Sequence, residues 1–459
     1  MNTKLQKFLS DVKGQRISVL GLGRSNIPLI NLLNNAGAIV IARDKNTVEN
    51  LPPEISTLNI ESYLGNNYLA NLHEKMIFRT PGIHPYIPEL VAAREHESIV
   101  TSEMELFFEL CPAPIIGVTG SDGKTTTTTL IYEMLKRQGF KCWLGGNIGR
   151  PLIGDIAEIA PNDRVVVELS SFQLQTMTTN PNVAVITNIT PNHLDYHKTM
   201  EEYSEAKANI FKNQSANSRL VLNYDNEGTR ALQQDAHSEV LCFSLNNFGN
   251  NMVYKKDGSI YIEKNNNITE IMKCSDIVIP GAHNIENYMA AIAAVWGECS
   301  VEIIIDVART FKGVPHRIEF VKEIDGVRYY NDSIATSPTR TRACLNSFDQ
   351  KLVVIAGGYD KKIPFDDFGS DLINNVKTLI LIGQTASLIE SAVKNSPEYT
   401  DKKIDIIHNA TLAEAVTTAK AHSVSGDVVV LSPACASFDM YKNFEIRGNE
   451  FKNLVNDLI

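Results

Sequence analysis

At 459 residues, the chain is too long for one ordinary hydrophobic core, and two or three domains are expected. A hydrophobic content of 43% with 21% charged residues is the balance of a globular protein, and a formal charge of −10 weighs against a nonspecific nucleic-acid binder. No apolar run approaches the about 20 residues of a membrane span, the first residues lack the apolar core of a secretory leader, and seven scattered cysteines without a C-x-x-C pair argue against a zinc knuckle or disulfide framework; a reducing cytoplasm is expected, with no membrane partner.

In chain order, RISVLGLG (16–23) predicts a strand and glycine turn, SNIPLINLLNNAG (25–37) a helix, and AIVIARD (38–44) a second strand, together one βαβ unit. GLGRSN begins like a dinucleotide fingerprint, with Asp44 near the spacing of a ribose-binding acid, but Asn26 stands where the third glycine belongs. A phosphate or nucleotide on the helix N-terminus is one reading, and a tight turn without a ligand is the other. RTPGIHP (79–85) follows a presumed strand and is placed to complete that pocket.

A second series starts at PIIGVTG (114–120), followed by a helix from TTTTLIYEMLKRQG and strands at 163–169 and 182–189. GVTGSDGKTTT has the strand-to-helix context of a phosphate-binding loop. Glycines let backbone amides converge, Lys124 spans phosphates, and a threonine hydroxyl serves Mg²⁺, although Val118 occupies the first glycine of the standard pattern. Glu168 ends an apolar strand where such enzymes place a metal-binding acid, and an edge-exposed glutamate is the plain alternative. His193 follows the next strand and is expected at the same sheet edge. Lys207, taken alone, is a solvated helix charge. Asn284 and Asn287 open a helix that they alternatively only cap. MVYKKDGSIYIEK carries Asp257-Gly258 between alternating residues, a hairpin signal.

The third series has strands at 327–332, 351–358, 376–383, 403–408 and 426–434. Arg317 and Asp332 lie near its start. AGGYDKKIPF and SPACASFDMYKNFEIRG follow strands and emerge at its ligand-binding edge.

Taken together, these motifs resemble the ATP-dependent Mur ligases, with folylpolyglutamate synthetase as a relative, along essentially the whole chain. Gly117 to Thr125 matches the G-x-T-G-[ST]-x-G-K-[ST] loop of that family, and ELSSFQL, GGNIG (145–149), G-x-H-N-x-x-N and SPACASFD-x-x-KNFE-x-RG resemble its D-glutamate-adding members. The resemblance implies an α/β fold of three domains: an N-terminal Rossmann-like domain (1–104) binding a UDP-substrate, a central P-loop domain (105–313) with a mainly parallel sheet binding ATP, and a C-terminal Rossmann-like domain (314–459) receiving the amino acid. It implies ATP with Mg²⁺, two ions, acting on UDP-N-acetylmuramoyl-L-alanine and D-glutamate in a monomer, through an acyl phosphate and a tetrahedral intermediate.

Position by position, the resemblance gives Lys124, Glu168, His193 and Lys207 catalytic roles. Gly120, Ser121, Asp122, Gly123, Lys124, Thr125, Thr126, Asn284, Asn287, Arg317 and Asp332 would surround ATP. Metal would fall to Thr125, Glu168, His193 and a carbamylated Lys207. Leu22, Arg24, Ser25, Asp44, Lys45, Thr80, Gly82 and Asn147 would meet the UDP-substrate, and Thr336, Lys361, Ser437, Phe438 and Phe444 would meet D-glutamate. Lys361 supplies a cation for the side-chain carboxylate. The match breaks at Ile334, where many members carry lysine, and Arg340 and Arg342 are the cations left to stand in. Two rivals remain: another amino-acid ligase of this fold, and a nucleotide-driven switch protein.

Overall fold

The structure, a computed structural model, describes all residues except Met1, Arg24, 53–54, 56–59, 194–195, 366, 401–402 and Ile459. Its α/β elements form three sheets. Five parallel strands are ordered β3-β2-β1-β4-β5: β1 (Arg16–Leu20), β2 (Ile39–Asp44), β3 (Glu61–Leu64), β4 (Met76–Arg79) and β5 (Ile99–Thr101).

The second sheet has nine strands in the order β14-β13-β12-β11-β10-β9-β6-β8-β7. Seven run parallel: β6 (Ile115–Thr119), β7 (Cys142–Gly146), β8 (Arg164–Glu168), β9 (Val183–Ile186), β10 (Arg219–Asn223), β11 (Glu239–Ser244) and β12 (Met252–Lys256). β13 (Ser259–Lys264) and β14 (Asn267–Lys273) add antiparallel. The expected hairpin forms at Asp257-Gly258, both at positive φ (48° and 79°), the backbone a two-residue turn of this twist demands. β6 is buried along its whole length, as a strand covered on both faces must be.

The third sheet is ordered β15-β16-β20-β17-β18-β19, with β15 (Glu319–Ile324) antiparallel to β16 (Val327–Asn331). The others, β17 (Leu352–Ala356), β18 (Val376–Leu381), β19 (Asp405–His408) and β20 (Val428–Leu431), are parallel.

The chain divides into two compact bodies, residues 1–274 with 286–307, and residues 275–285 with 308–459. The first contains two sheets because one hydrophobic core runs through both, from Leu5 and Val19 to Val167 and Leu222. Polar ties reinforce it. Asn2 Nδ2 donates to Leu110 O at 2.8 Å, and the buried Glu105 carboxylate accepts the amides of Thr178 and Thr179. The second body builds its core on both faces of the six-stranded sheet. Among the described residues no helix is long and apolar enough to cross a membrane, and all seven cysteines are free thiols.

Candidate active site

The loop after β6 turns sharply at Gly120 (φ 148°) and Gly123 (φ 77°) before the helix Lys124–Arg137. A Cβ on Gly120 would overlap Thr187 Oγ1, and one on Gly123 would overlap Asn287 Oδ1. Steric crowding from these two neighbours, rather than position 118, accounts for the glycine spacing. Lys124 Nζ donates to the carbonyls of Gly120 (2.9 Å) and Ser121 (2.8 Å), folding its ammonium over the loop. Thr125 Oγ1 donates to Glu168 Oε2 at 2.7 Å, and Asn147 Nδ2 donates to Glu168 Oε1 at 2.8 Å. Residues from three motifs therefore meet at the C-terminal ends of β6, β7 and β8. Asn287 is brought to the same loop, accepting from Thr127 Oγ1 at 3.3 Å. Thr126 is buried in the helix's first turn. The Ser121 hydroxyl turns inward to Thr190 O (3.0 Å) and Tyr203 (3.1 Å), so its contribution to the loop is its backbone.

Two loop partners escaped sequence reasoning. Asn188 Oδ1 accepts the amides of Ser121 (3.1 Å) and Asp122 (2.8 Å), and Thr187 Oγ1 donates to Asp122 O (2.5 Å). Their signal was their place just past the buried run of β9, at the shared sheet edge.

Lys207 is 1% exposed, not a solvated helix charge. Its Nζ donates to Gly120 O at 2.8 Å and lies 4.5 Å from the Tyr203 ring centre. Burial, then the neighbouring Lys124 ammonium, pulls the Lys207 pKa down to about 6 against the opposing pull of Asp122 and Glu168. His193 adopts left-handed backbone (φ 54°) and sets its ring edge-on to Phe172, 5.0 Å away. Among the described residues no group of three or more His, Cys, Asp or Glu side chains converges on a metal position. The Thr125 hydroxyl and Glu168 carboxylate do form a hard-oxygen pair of the kind Mg²⁺ takes.

In the first sheet, Asp44 at the end of β2 is buried and accepts the amides of Leu22 (2.7 Å) and Asn46 (2.8 Å), so it shapes the turn it was expected to serve. Leu22 is buried, Ser25, Lys45 and Gly82 are exposed, and Thr80 packs against Gly21. Arg24 lies outside the described residues.

In the second body, Asp332 follows β16. It accepts Ile318 N (3.2 Å) and Ser432 Oγ (2.8 Å), and full burial raises its pKa to about 6. Arg317 and Arg340 are its nearby cations, and Arg340 Nη1 donates to Ile334 O at 3.2 Å. Arg342 is instead paired with Asp371 at 2.5 Å. Of the two stand-in cations, Arg340 therefore occupies the neighbourhood of Ile334. Asn284 Nδ2 donates to Pro280 O at 2.6 Å.

Lys361 Nζ donates to both Thr336 Oγ1 and Thr336 O at 3.2 Å, bringing two expected glutamate contacts together. Ser437 Oγ is buried with no protein partner, Phe438 is 62% exposed beside Tyr359, and Phe444 packs edge-on to His316. Arg447, unforeseen, is fully buried and donates to Ser333 Oγ (3.0 Å), Ser333 O (2.9 Å), Cys435 O (3.1 Å) and Ala436 O (3.1 Å). It bolts the strand end carrying Asp332 to the loop carrying Ser437.

Residues 118–295 match the Mur ligase middle domain, and residues 316–435 match the glutamate ligase domain of Mur ligases. Over the full length of both chains, the sequence is 54% identical to a UDP-N-acetylmuramoylalanine–D-glutamate ligase of Acetivibrio thermocellus. Enzymes of the same name from Ruminiclostridium cellulolyticum (53%) and Clostridium acetobutylicum (48%) are likewise covered completely. Among solved structures, MurF from Acinetobacter baumannii aligns over 99% of this chain and 98% of its own, with TM-score 0.59 and 16% identity. UDP-N-acetylmuramate-alanine ligase from Thermotoga maritima aligns over 96% and 99%, with TM-score 0.57 and 17% identity, so both share the fold. With two family domains in order and relatives matched from end to end, the chain belongs to the Mur ligase family.

Proposed function

We propose that this protein is an ATP-dependent ligase that joins D-glutamate to UDP-N-acetylmuramoyl-L-alanine in peptidoglycan precursor synthesis, in the cytoplasm. The full-length 54% identity to an enzyme of that name carries the reading. The site residues support it, and the three sheets support a division into a UDP-binding domain (1–104), an ATP-binding P-loop domain (105–313) and an amino-acid-binding domain (314–459).

A carboxylate resists attack by an amine until one of its oxygens becomes a leaving group, so phosphorylation comes first. Lys124 holds transferring phosphate oxygens and offsets charge that gathers on them. Amides of the first helical turn after Gly123, which have no intrahelical acceptor, point at the same oxygens. Thr125 and Glu168, with His193 and a carbamylated Lys207, would hold two Mg²⁺ ions, which supply further charge neutralisation when bound. Asn147, joined to Glu168, orients the L-alanine end of the UDP-substrate. Asn284, Asn287, Arg317 and Asp332 orient the nucleotide, and Arg340 supplies the cation missing at Ile334. Lys361 and Thr336 hold the D-glutamate side-chain carboxylate, with Ser437, Phe438 and Phe444 forming the rest of its bed. Its amine attacks the acyl phosphate, the tetrahedral intermediate collapses, and phosphate leaves.

The test is ADP release with ATP, Mg²⁺ and UDP-N-acetylmuramoyl-L-alanine while the amino acid is varied. Turnover is expected with D-glutamate alone. Equal turnover with L-glutamate or a diamino acid overturns the assignment, and ADP release without any amino acid favours a switch protein.

A further inference from the structure

In the first body, one buried side chain ties the loop after β9 to the loop after β8. β8 ends at Glu168, and two residues later Ser170 starts the short helix Ser171–Leu174 through a capping box with Gln173. Ser171 Oγ lies 2.9 Å from His197 Nε2, so the first residue of that helix is bonded to a ring from beyond β9. The His197 amide in turn donates to His193 O at 2.9 Å, as the Tyr196 amide does at 3.1 Å. Both bonds close one turn around His193, whose backbone is left-handed.

Ring contacts follow the same path. Phe172, next to Ser171, stacks on His197 with ring centres 5.5 Å apart and planes 8° apart, and it is the ring that meets His193 edge-on. His197 also packs against Tyr203 at 5.4 Å. Tyr203 holds the Lys207 ammonium over its face, and its hydroxyl reaches Ser121 in the phosphate loop. One imidazole therefore touches the elements that carry Glu168, His193 and Lys207.

His197 is 0% exposed, and its Nδ1 has no hydrogen-bond partner among the described residues. A phenyl ring would stack in the same space without the cost of a buried, unbonded nitrogen. What the imidazole adds is a single directed bond to Ser171, and packing alone does not call for it. We propose that His197 is a positioning residue: by pinning the His193 turn to the helix that follows Glu168, it holds these two expected metal ligands at a fixed spacing. This rests on the functional reading above, which gives those ligands Mg²⁺.

The test uses Mn²⁺ as a paramagnetic stand-in for Mg²⁺. It is titrated into the full chain with a nonhydrolysable ATP analogue, and free Mn²⁺ is read by electron paramagnetic resonance, with calorimetric titration of UDP as the control. His197→Phe, which keeps the stack and loses the bond, is expected to weaken Mn²⁺ about tenfold while UDP changes less than about twofold. His197→Gln, whose amide reaches about as far along the side chain as Nε2, should return Mn²⁺ to within about threefold of wild type. Ser171→Ala should match His197→Phe, and the double variant should be weaker than either by no more than about twofold, because one bond can be lost only once. Unchanged Mn²⁺ affinity in both single variants overturns the assignment, and so does full additivity in the double variant. Equal weakening of Mn²⁺ and UDP also overturns it, since that is the mark of a general loosening of the body. Should His197→Phe fail to fold, Ser171→Ala and His197→Gln carry the same comparison. Wild-type protein that binds UDP and the ATP analogue but takes up no Mn²⁺ instead sinks the parent reading of the metal site.

Discussion

The buried Lys207 yields the sharpest prediction, because its environment changes its chemistry. With a pKa of about 6, roughly 97% of its amine is neutral at pH 7.5, against about 0.1% for a lysine at 10.5. The nucleophilic form is thus enriched about a thousandfold. Attack of that amine on CO₂ forms an N–C bond, releases one proton and leaves a carboxylate where an ammonium stood. A carboxylate within electrostatic reach of Glu168 suits a cation, whereas an ammonium repels one. The sign is fixed: carbamylation is favoured above about pH 6 and falls as the amine protonates below it. Protein equilibrated with ¹³C-bicarbonate at pH 7.5 should show a carbamate carbonyl resonance that is missing from Lys207→Ala. The same variant should lose about a hundredfold or more in kcat, equivalent to roughly 3 kcal/mol, with partial recovery in added formate or acetate. Identical ¹³C spectra of wild type and variant, together with no recovery by carboxylates, would refute the reasoning.

Lys124→Ala should abolish ADP release, by at least about a thousandfold, while the melting temperature stays within a few degrees, since the Gly120 carbonyl it releases keeps its bond from Lys207. Lys361→Met should raise KM for D-glutamate about a hundredfold with little change in KM for ATP, as expected when a charge-assisted contact to one substrate is lost. Arg447→Met removes four buried hydrogen bonds and should lower stability by about 3 kcal/mol or more in denaturant unfolding; Arg447→Lys, which retains the charge but not the fork, should fold yet show raised KM for D-glutamate. Asn188→Ala should weaken ATP binding about tenfold, measured by titration with a nonhydrolysable analogue, because the Asp122 amide loses its acceptor while the Ser121 amide keeps only its bond to Asn188 O.

How much of this was readable from the chain depended on sequence distance. The phosphate loop was legible because its glycines, Lys124 and Thr125 act within nine residues, and the Asp257-Gly258 hairpin because turn geometry is local. Taken alone, Lys207 reads as a solvated charge for a physical reason. On the helix Met200–Ala208, Glu201, Glu202 and Glu205 mark a solvated face, yet Tyr203 and Lys207, four residues apart, share the face that is buried. A lysine inside a buried stripe reads as solvent-facing until its partners are known. Asn188 and Arg447 left no local trace because each serves groups remote in sequence: Asn188 bonds across 66 and 67 positions, and Arg447 reaches 114 positions back to Ser333. Side chains that satisfy backbone groups of another element have no periodicity to betray them.

The phosphate loop also divides its labour in a way its glycine spacing alone did not suggest. The amides of Ser121 and Asp122 are committed to Asn188, and the Asp122 carbonyl to Thr187. Those bonds hold the loop's shape from the neighbouring strand end. The amides left to meet phosphate are those after Gly123, at the start of the helix Lys124–Arg137, where the macrodipole adds its attraction. Lys124 must exchange its bonds to Gly120 and Ser121 for phosphate oxygens, and Lys207 shares the Gly120 acceptor. In the proposed site, nucleotide binding is an exchange of hydrogen bonds around one carbonyl. Substitutions at Thr187 or Asn188, which make no contact with the reacting atoms in this reading, should act through loop shape: they should raise KM for ATP while leaving unchanged the KM for D-glutamate, which we propose the second body binds.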